Sequence, residues 1–395
     1  MKNESRGASA GARASIWRLL IVVAVACAVT ALTPSAPASG GPADHTTRGT
    51  VISVEALEHG LVLTRASGGR VFEYTTTGAD GRPATSLGSL YLPKGKAPAG
   101  GWPVLSYGHG TAGLSDDVVS YTGWAGDGNT GDAYLSRWLD AGFAVAATEY
   151  VGIGTPGVHP YLNTRSEGAA MIDVVRAARS LDHRLSNVWV ANGYSQGGHA
   201  TLAAAALATE YAPELVLAGA SAGGVPAGVA DELAMVRPDV AVNPAPDLTV
   251  YTAYVLAGFR AARPDHPMDS YLSGRGRNLL DSAERLGYHD MLAEVGRTAP
   301  AQMVRRPLAE GTLLDAVRRH LGVPTRGYSS PVQIYQQSLD VVSPAPFSAL
   351  LAQQMRANGV RVTYRMYHSP QGHAGWDGPL TDVIAFARAA VARAE

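Results

Sequence analysis

The chain has 395 residues, which is enough for one large domain with an insertion or for two domains. Its 32 Lys and Arg residues and 33 Asp and Glu residues leave a formal net charge of −1 at pH 7. Residues 1–38 carry a net charge of +3, so the remainder carries −4, and this mildly acidic balance argues against nucleic acid as a partner.

The first 38 residues have the pattern of a secretory signal peptide. Basic residues precede an apolar run over residues 19–32, and Ala36 and Ala38 occupy the small-residue positions before the expected cleavage site. Because the run is shorter than the roughly 20 apolar residues of a membrane span, a cleaved signal is favoured over an uncleaved anchor. We therefore predict a secreted protein, with a disordered linker over residues 39–48.

The only cysteine, Cys27, lies inside the apolar run. A lipoprotein anchor at Cys27 is the less favoured alternative, because the preceding residues lack the usual leucine and apolar residues continue beyond it. If cleavage follows Ala38, the mature chain has no cysteine, which excludes disulfides, thiol catalysis and cysteine-based metal sites.

Short apolar runs separated by helical patterns predict an α/β fold. The turn sequence GADGRP at 78–83 joins two extended runs, and near-continuous apolar runs at 102–108, 143–150, 187–195 and 214–220 are typical of strands buried on both faces. Between them, residues 163–181 predict a helix whose Thr164 and Glu167 have capping-box spacing, and residues 196–211 predict another. The order indicates a mostly parallel, doubly wound sheet.

Residues 222–324 interrupt this alternation with several prolines and with helical stretches such as those at 251–263, 278–292 and 312–322. Strands at 330–340 and 360–368 and helices at 347–359 and from about 379 then restore it. We therefore predict a catalytic domain formed by residues 49–221 and 325–395, with a helical cap inserted over residues 222–324.

The pattern Gly-x-Ser-x-Gly occurs three times, around Ser9, Ser195 and Ser221, so its context has to decide which serine is reactive. A nucleophile elbow requires a strand, a tight turn at the serine and a helix that follows at once. Ser9 lies in the predicted signal peptide, and Pro226 follows Ser221 where a helix would have to begin. Ser195 alone satisfies every part of the pattern.

Two later loops supply the expected partners of Ser195. Asp340 ends the strand at 330–340 and His373 follows the strand at 360–368, which is the order nucleophile, acid, histidine of α/β-hydrolases. His373 would act as general base and Asp340 would fix its tautomer. The alternatives are that Asp340 only caps the next helix and that His368 replaces His373.

An oxyanion hole needs main-chain donors beside the nucleophile. We predict the N–H of Gln196 as one donor and the N–H of Thr111, or failing that Gly110, as the other. For His109 a structural hydrogen bond is favoured over a chemical role.

Other kinds of site have little support. The histidines are scattered singly, which argues against a metal site, and the acidic loop at 126–132 lacks calcium-ligand spacing. The glycines at 152–157 are interrupted by Pro156, which argues against a dinucleotide site. We therefore expect neither a metal nor a cofactor.

From about Arg70 onward, the chain resembles the secretory lipase family of α/β-hydrolases. The resemblance rests on SYGHGT at 106–111, EYVGIGTPGVHPYL at 149–162, GYSQGGHA at 193–200, LDVVSP at 339–344 and the Gly-His pair at 372–373. It implies a carboxylic ester hydrolase acting on acylglycerols, with a helical cap over an acyl-binding tunnel. The chain departs from the family pattern at Glu149, where relatives usually carry aspartate, and at Gln337, where they usually carry glycine.

The favoured hypothesis is a secreted, triacylglycerol lipase-like esterase that uses a Ser-His-Asp triad and an acyl-enzyme. The alternatives are an esterase for non-lipid esters, a secreted serine peptidase of the same fold and a non-catalytic binding protein. The expected partner is a small-molecule or lipid ester, which the protein would also bind at a lipid–water interface. The protein is expected to be a monomer.

Overall fold

A computed structural model describes residues 48–123, 130–240 and 246–394. The predicted signal peptide, Cys27, residues 39–47 of the predicted linker and residues 126–129 of the acidic loop lie outside the described residues.

The described strands form one sheet of nine strands in the order β1-β2-β3-β5-β4-β6-β7-β8-β9. They are β1 (Val51–Ala56), β2 (Ala66–Thr77), β3 (Pro83–Pro93), β4 (Trp102–Gly108), β5 (Ala144–Thr148), β6 (Leu185–Tyr194), β7 (Val216–Gly223), β8 (Val332–Gln337) and β9 (Val362–Tyr367). In this order each neighbouring pair from β5 to β9 is parallel, whereas the pairs β1–β2, β2–β3 and β3–β5 are antiparallel. The sheet is therefore mostly parallel, as predicted.

Helices cover both faces of the sheet. They are α1 (Thr130–Asp140), α2 (Thr164–Leu181), α3 (Gln196–Tyr211), α4 (Val229–Ala234), α5 (Pro246–Ala262), α6 (Gly274–Ala283), α7 (Tyr288–Val295), α8 (Leu313–Leu321), α9 (Ala345–Ala357) and α10 (Leu380–Ala394). Trp189 and Ala191 of β6 pack toward α2 and α3, whereas Val188 and Val190 pack toward α1 and α10. Because successive side chains of a strand point to opposite faces, this division shows a doubly wound sheet.

Two local predictions need correction. The side chain of Asn163, not Thr164, caps α2 by accepting the Ser166 N–H at 2.9 Å, and Glu167 is buried among side-chain partners instead of closing a capping box. Residues 278–292 form parts of two helices, because Gly287 has the extended backbone of an N-cap (φ −67°, ψ 169°) and starts α7 anew.

Helices α4 to α8 pack mainly against one another and form a hydrophobic cluster distinct from those on the sheet. Leu114, Tyr161 and Leu162 from the sheet part join this cluster and connect it to the rest of the chain. Among the described helices, none is both long and apolar enough to cross a membrane. The division into catalytic domain and cap remains a prediction.

Candidate active site

The turn at Ser195 lies between the end of β6 at Tyr194 and the first residue of α3, Gln196. Ser195 has φ +57° and ψ −120°, a conformation that costs energy in a residue with a side chain. Its N–H donates to the Gly223 carbonyl at 2.9 Å, and its carbonyl accepts the His199 N–H at 3.0 Å. The hydroxyl does not cap α3, so it is not occupied by the usual structural role of a serine at a helix start.

The glycines around Ser195 are required by close backbone contacts. A Cβ on Gly197 would overlap the carbonyl oxygen of Gly108 at the end of β4, and one on Gly193 would lie 2.5 Å from the same oxygen. A Cβ on Gly198 would overlap the carbonyl oxygen of Gly223 in β7. Glycine is therefore needed at these positions of the Gly-x-Ser-x-Gly pattern, because the turn packs so closely against the neighbouring strands that a Cβ has no space.

Asp340 and His373 are in direct contact. The two residues come from loops after β8 and β9, and His373 Nδ1 lies 2.7 Å from Asp340 Oδ2. Since a carboxylate only accepts, Nδ1 carries a proton, and in the neutral ring the Nε2 lone pair can act as a base.

The Asp340 carboxylate is buried and has several donors. Its Oδ1 accepts the N–H groups of Val342 at 2.9 Å and Ser343 at 2.8 Å. Its Oδ2 also accepts from Tyr194 Oη at 3.3 Å and Gln336 Nε2 at 3.2 Å. Asp340 is not the cap of α9, because Pro344 occupies that position.

The imidazole of His373 lies beside the turn at Ser195. Its ring centroid is 4.9 Å from that of Tyr194, the residue immediately before Ser195. The rival candidate His368 is exposed at the end of β9, where its Nδ1 lies 3.0 Å from Ser338 Oγ. The structure thus brings Asp340 and His373 together against Tyr194, the residue before the predicted nucleophile, and leaves His368 paired elsewhere.

The predicted oxyanion loop also adjoins this turn. A Cβ on Gly110 would lie 3.7 Å from the Tyr194 carbonyl oxygen, and Thr111 Oγ1 lies 2.6 Å from Tyr161 Oη. Gln196 is fully buried at the start of α3. Donation by Gln196, Thr111 or Gly110 to a substrate oxygen remains a prediction.

His109 and Glu149 hold the loops beside the site. His109 is buried, its Nδ1 lies 2.6 Å from the Gly110 carbonyl oxygen, and its carbonyl accepts from Tyr150 Oη at 3.0 Å. The Glu149 carboxylate accepts from Ser120 N at 2.6 Å and from Ser120 Oγ at 2.8 Å. Glu149 therefore holds Ser120 in place, which gives a structural role to its departure from the family pattern.

Gln337, the second departure, connects two loops of the site. Its Nε2 donates to the carbonyl oxygen of Gly375 at 2.5 Å, and both residues are buried. The bond joins the end of β8, just before Asp340, to the loop that contains His373.

A buried group of polar residues behind the turn escaped the sequence analysis. Glu167 of α2 is fully buried and contacts Gln196 and His199, both on the first turns of α3. His159 belongs to the same group, and its Nε2 lies 2.7 Å from Gln196 Nε2. The available signal was the position of His159, Gln196 and His199 in the family motifs at 149–162 and 193–200, whereas Glu167 lies outside both motifs.

Burial alone would raise the pKa of Glu167, but the adjacent imidazoles of His159 and His199 outweigh this effect and lower the pKa to about 2. Glu167 is therefore ionised at neutral pH. Across the described ranges, no cluster of three or more His, Cys, Asp or Glu residues could hold a metal ion.

The chain is similar in sequence to known lipases. Residues 129–375 match the model of a family described as secretory lipase. Lipase A of Moesziomyces aphidis is 29% identical over 214 residues, which cover 51% of this chain and 43% of that relative. The chain thus spans less than half the length of this curated relative.

Two solved structures share the fold. Candida antarctica lipase A superposes with a TM-score of 0.67 at 19% identity, over 81% of this chain and 76% of that one. The rice cell wall degrading esterase LipA from Xanthomonas oryzae superposes with a TM-score of 0.72 at 19% identity, over 90% of this chain and 100% of that one. The nine-stranded, mostly parallel sheet with its flanking helices is therefore an α/β-hydrolase fold.

Proposed function

The chain belongs to the secretory lipase family, and from that premise we propose that it is a secreted carboxylic ester hydrolase in which Ser195, His373 and Asp340 form the catalytic triad. The observation that carries the proposal is the 2.7 Å contact between His373 Nδ1 and Asp340 Oδ2, with the His373 ring against the residue that precedes Ser195. The family description as secretory supports export, in agreement with the signal pattern of residues 1–38.

In acylation, His373 Nε2 takes the proton of Ser195 as the hydroxyl oxygen attacks the ester carbonyl carbon. The negative charge that develops on the carbonyl oxygen is stabilised by the N–H of Gln196 and that of Thr111 or Gly110, each such donor contributing on the order of 3 kcal/mol. Collapse of the tetrahedral intermediate breaks the bond to the alcohol, which leaves with the proton held by His373. Asp340 stabilises the imidazolium while that proton is held.

In deacylation, water takes the place of the alcohol. His373 removes a proton from the water, whose oxygen attacks the acyl carbon of the Ser195 ester. The same donors stabilise the second tetrahedral intermediate, and His373 returns the proton to Ser195 as the acid is released. The burial of Asp340 and its five donors keep the carboxylate in position throughout.

We propose that residues 222–324 form a cap over this site and help to bind the acyl group of acylglycerols. The support is the hydrogen bond from the Tyr288 N–H, at the start of α7, to the Ala112 carbonyl at 2.9 Å. It attaches the inserted helices to the loop that follows the predicted oxyanion donors. Acyl substrates presented at a lipid–water interface fit this arrangement.

Esters other than lipids are the second candidate class. The superposition includes all of the rice cell wall degrading esterase but only 76% of Candida antarctica lipase A. A peptidase has less support, because three acidic residues within 222–324 that could bind the charged terminus of a peptide have other partners. Asp231 pairs with Arg318 at 3.2 Å, Asp239 pairs with Arg237, and Asp247 accepts from Tyr288 Oη at 2.9 Å.

The decisive experiment compares the two glycine-flanked serines of the described chain. With p-nitrophenyl butyrate, the wild-type protein should show an acyl-enzyme burst, and Ser195→Ala should abolish both burst and turnover. Ser221→Ala is the matched control: Ser221 is buried in β7, donates to Gln333 Oε1 at 3.0 Å and should retain turnover per folded molecule. Undiminished turnover in Ser195→Ala would refute the proposed mechanism.

Substrate class is tested separately with p-nitrophenyl esters from acetate to palmitate, emulsified triglyceride and an aminoacyl arylamide. A lipase should turn over the long-chain esters and the emulsion, whereas an esterase for small esters should favour acetate or butyrate. Faster cleavage of the arylamide than of the matching ester would indicate a peptidase instead.

A further inference from the structure

A group of buried polar residues lies behind the turn at Ser195 and is here called the buried cluster. It consists of Glu167, His159, Gln196 and His199, and its hydrogen bonds show which atoms donate and which accept. Glu167 Oε1 accepts from the Leu162 N–H at 2.9 Å and from Gln196 Nε2 at 2.9 Å. Its Oε2 accepts from His199 Nδ1 at 2.8 Å. The carboxylate thus contacts two residues on the first turns of α3, which begins immediately after Ser195.

His159 fixes the orientation of the Gln196 amide together with Glu167. His159 Nδ1 faces the Val151 carbonyl at 2.8 Å and must therefore carry the ring proton, so that Nε2 accepts from Gln196 Nε2 at 2.7 Å. Both N–H bonds of the Gln196 amide are used, one toward His159 and one toward Glu167. The reversed amide would direct its oxygen at the Glu167 carboxylate, so only one orientation is stable.

His199 joins Glu167 to the inserted helices. Its Nδ1 faces the Glu167 carboxylate and its Nε2 faces the Leu321 carbonyl at 3.0 Å. Leu321 is the last residue of α8, so the same ring attaches the end of the inserted helices to α3.

From this geometry we propose that Glu167 is a positioning residue for ester hydrolysis: by holding the Gln196 side chain and His199, it fixes the first turn of α3 and with it the Ser195 hydroxyl and the Gln196 N–H. This inference rests on the proposed function. Glu167 does not touch the substrate and acts through Gln196, whose main chain and side chain belong to the same buried residue. A displacement of that N–H by about 1 Å is enough to lower the rate on the order of 100-fold.

The test is Glu167→Gln, which keeps the shape but places an amide among groups that donate. We expect kcat to fall about 10- to 100-fold with KM changed by less than about threefold, because the loss affects the transition state. The Ki of a trifluoromethyl ketone, whose hemiketal oxyanion occupies the same donors, should rise by a similar factor.

Asp173→Asn is the matched control, because Asp173 is another buried carboxylate of α2, bonded to Tyr211 Oη at 2.7 Å and Thr76 Oγ1 at 2.8 Å. It should cost stability while leaving kcat and Ki per folded molecule close to wild type. Equal kcat in the two variants, or an effect of Glu167→Gln on KM alone, would overturn the proposal.

Gln196→Ala provides the second measurement and decides the question if Glu167→Gln does not fold. It keeps the main-chain N–H but removes the side chain held by Glu167, and it should lower kcat and raise the ketone Ki in the same way. A wild-type kcat and Ki in Gln196→Ala would overturn the role of Glu167. Turnover by Ser195→Ala, measured alongside, would instead refute the proposed function itself, so the two failures are distinguishable.

Discussion

At the scale of single residues, the conformation of Ser195 is held by contacts that leave little space. A φ of +57° in a serine persists only where the surroundings enforce it, here the bond from its N–H to Gly223 and the close approach of Gly108 to Gly197. The reactive hydroxyl is therefore presented by the packing of three strands and one helix, and the packing can be altered without touching the hydroxyl.

Gly197→Ala tests this dependence. Because the new methyl group would overlap the Gly108 carbonyl oxygen, we expect a loss of about 1–3 kcal/mol in the free energy of unfolding and a clear fall in kcat/KM. The measurements are urea unfolding and ester hydrolysis. Gly68→Ala is the control, since a Cβ there meets nothing within 4 Å, and an equal loss in both variants would contradict the explanation.

The sequence predicted the positions of Ser195, Asp340 and His373 because strand ends and motif order are local features. The structure places Asp340 and His373 in contact, while their catalytic roles stay predictions. Glu167 was interpreted as part of a capping box because spacing of three residues is a local signal. Its real side-chain partners, Gln196 and His199, lie on another helix, and spacing along the chain carries no information about them.

At the scale of elements, the site consists of loops that follow neighbouring parallel strands, and their relative position depends on bonds between loops. Gln337 at the end of β8 donates to Gly375 in the loop after β9, which links the segments that carry Asp340 and His373. A glycine at position 337, as in the family pattern, could not form this bond.

Gln337→Ala should therefore loosen the two loops. We expect a fall in kcat of about tenfold, from poorer alignment of His373, and a loss of about 1–2 kcal/mol in unfolding free energy, because the buried Gly375 carbonyl loses its donor. Steady-state kinetics and urea unfolding provide the measurements. Gln354→Ala on the exposed side of α9 serves as control, and unchanged kcat in Gln337→Ala would show that the bond does not align the site.

Most elements followed from hydrophobic periodicity. The strand predicted at 102–108 is β4 without change, and the turn at 78–83 joins β2 to β3 as an antiparallel pair. Strand β1 was missed because its side chains are largely exposed, including the apolar Ile52 and Val54. Without a buried face, the strand does not show the alternation of apolar and polar residues by which a strand is predicted. Its pairing with β2 comes from main-chain bonds, which any residue except proline can form.

At the scale of the whole molecule, the inserted helices are fastened to the sheet part by buried polar contacts as well as by apolar packing. His320 of α8 lies with Nε2 3.0 Å from the Tyr161 carbonyl and Nδ1 3.2 Å from Asn163 Nδ2. Burial lowers the pKa of His320 to about 4, against the opposing effect of the Tyr161 carbonyl, so the ring is neutral in the folded protein at neutral pH.

This contact predicts acid sensitivity. Between pH 6.5 and 4 the unfolded chain takes up a proton at His320 that the folded protein does not, so stability falls as the pH falls through this range. From pH 7 to 4.5 the contribution of His320 is on the order of 2–3 kcal/mol. Urea unfolding at both pH values should show a smaller difference for His320→Gln than for wild type.

The exposed His183 gives the control for this experiment, because its ring is solvated in both states. His183→Gln should leave the difference between the two pH values as in wild type. A difference in His320→Gln as large as that of the wild-type protein would show that His320 stays accessible to protons in the fold.

The sequence predicted a mostly parallel, doubly wound sheet from its buried strands. The inserted helical region, predicted from proline content and the break in alternation, stays a prediction. How α4 to α8 pack, and that Leu114 and Tyr161 join their hydrophobic cluster, was not predictable, since contacts between segments far apart leave no local periodicity.

Strand β1 forms the edge of the sheet opposite β9, and its Ile52 side chain is half exposed. Residues 28–395 contain no sulfhydryl group. Replacing Ile52 with cysteine would therefore place one thiol among residues 28–395, on the edge strand farthest from β9, through which the protein could be immobilised on a bead.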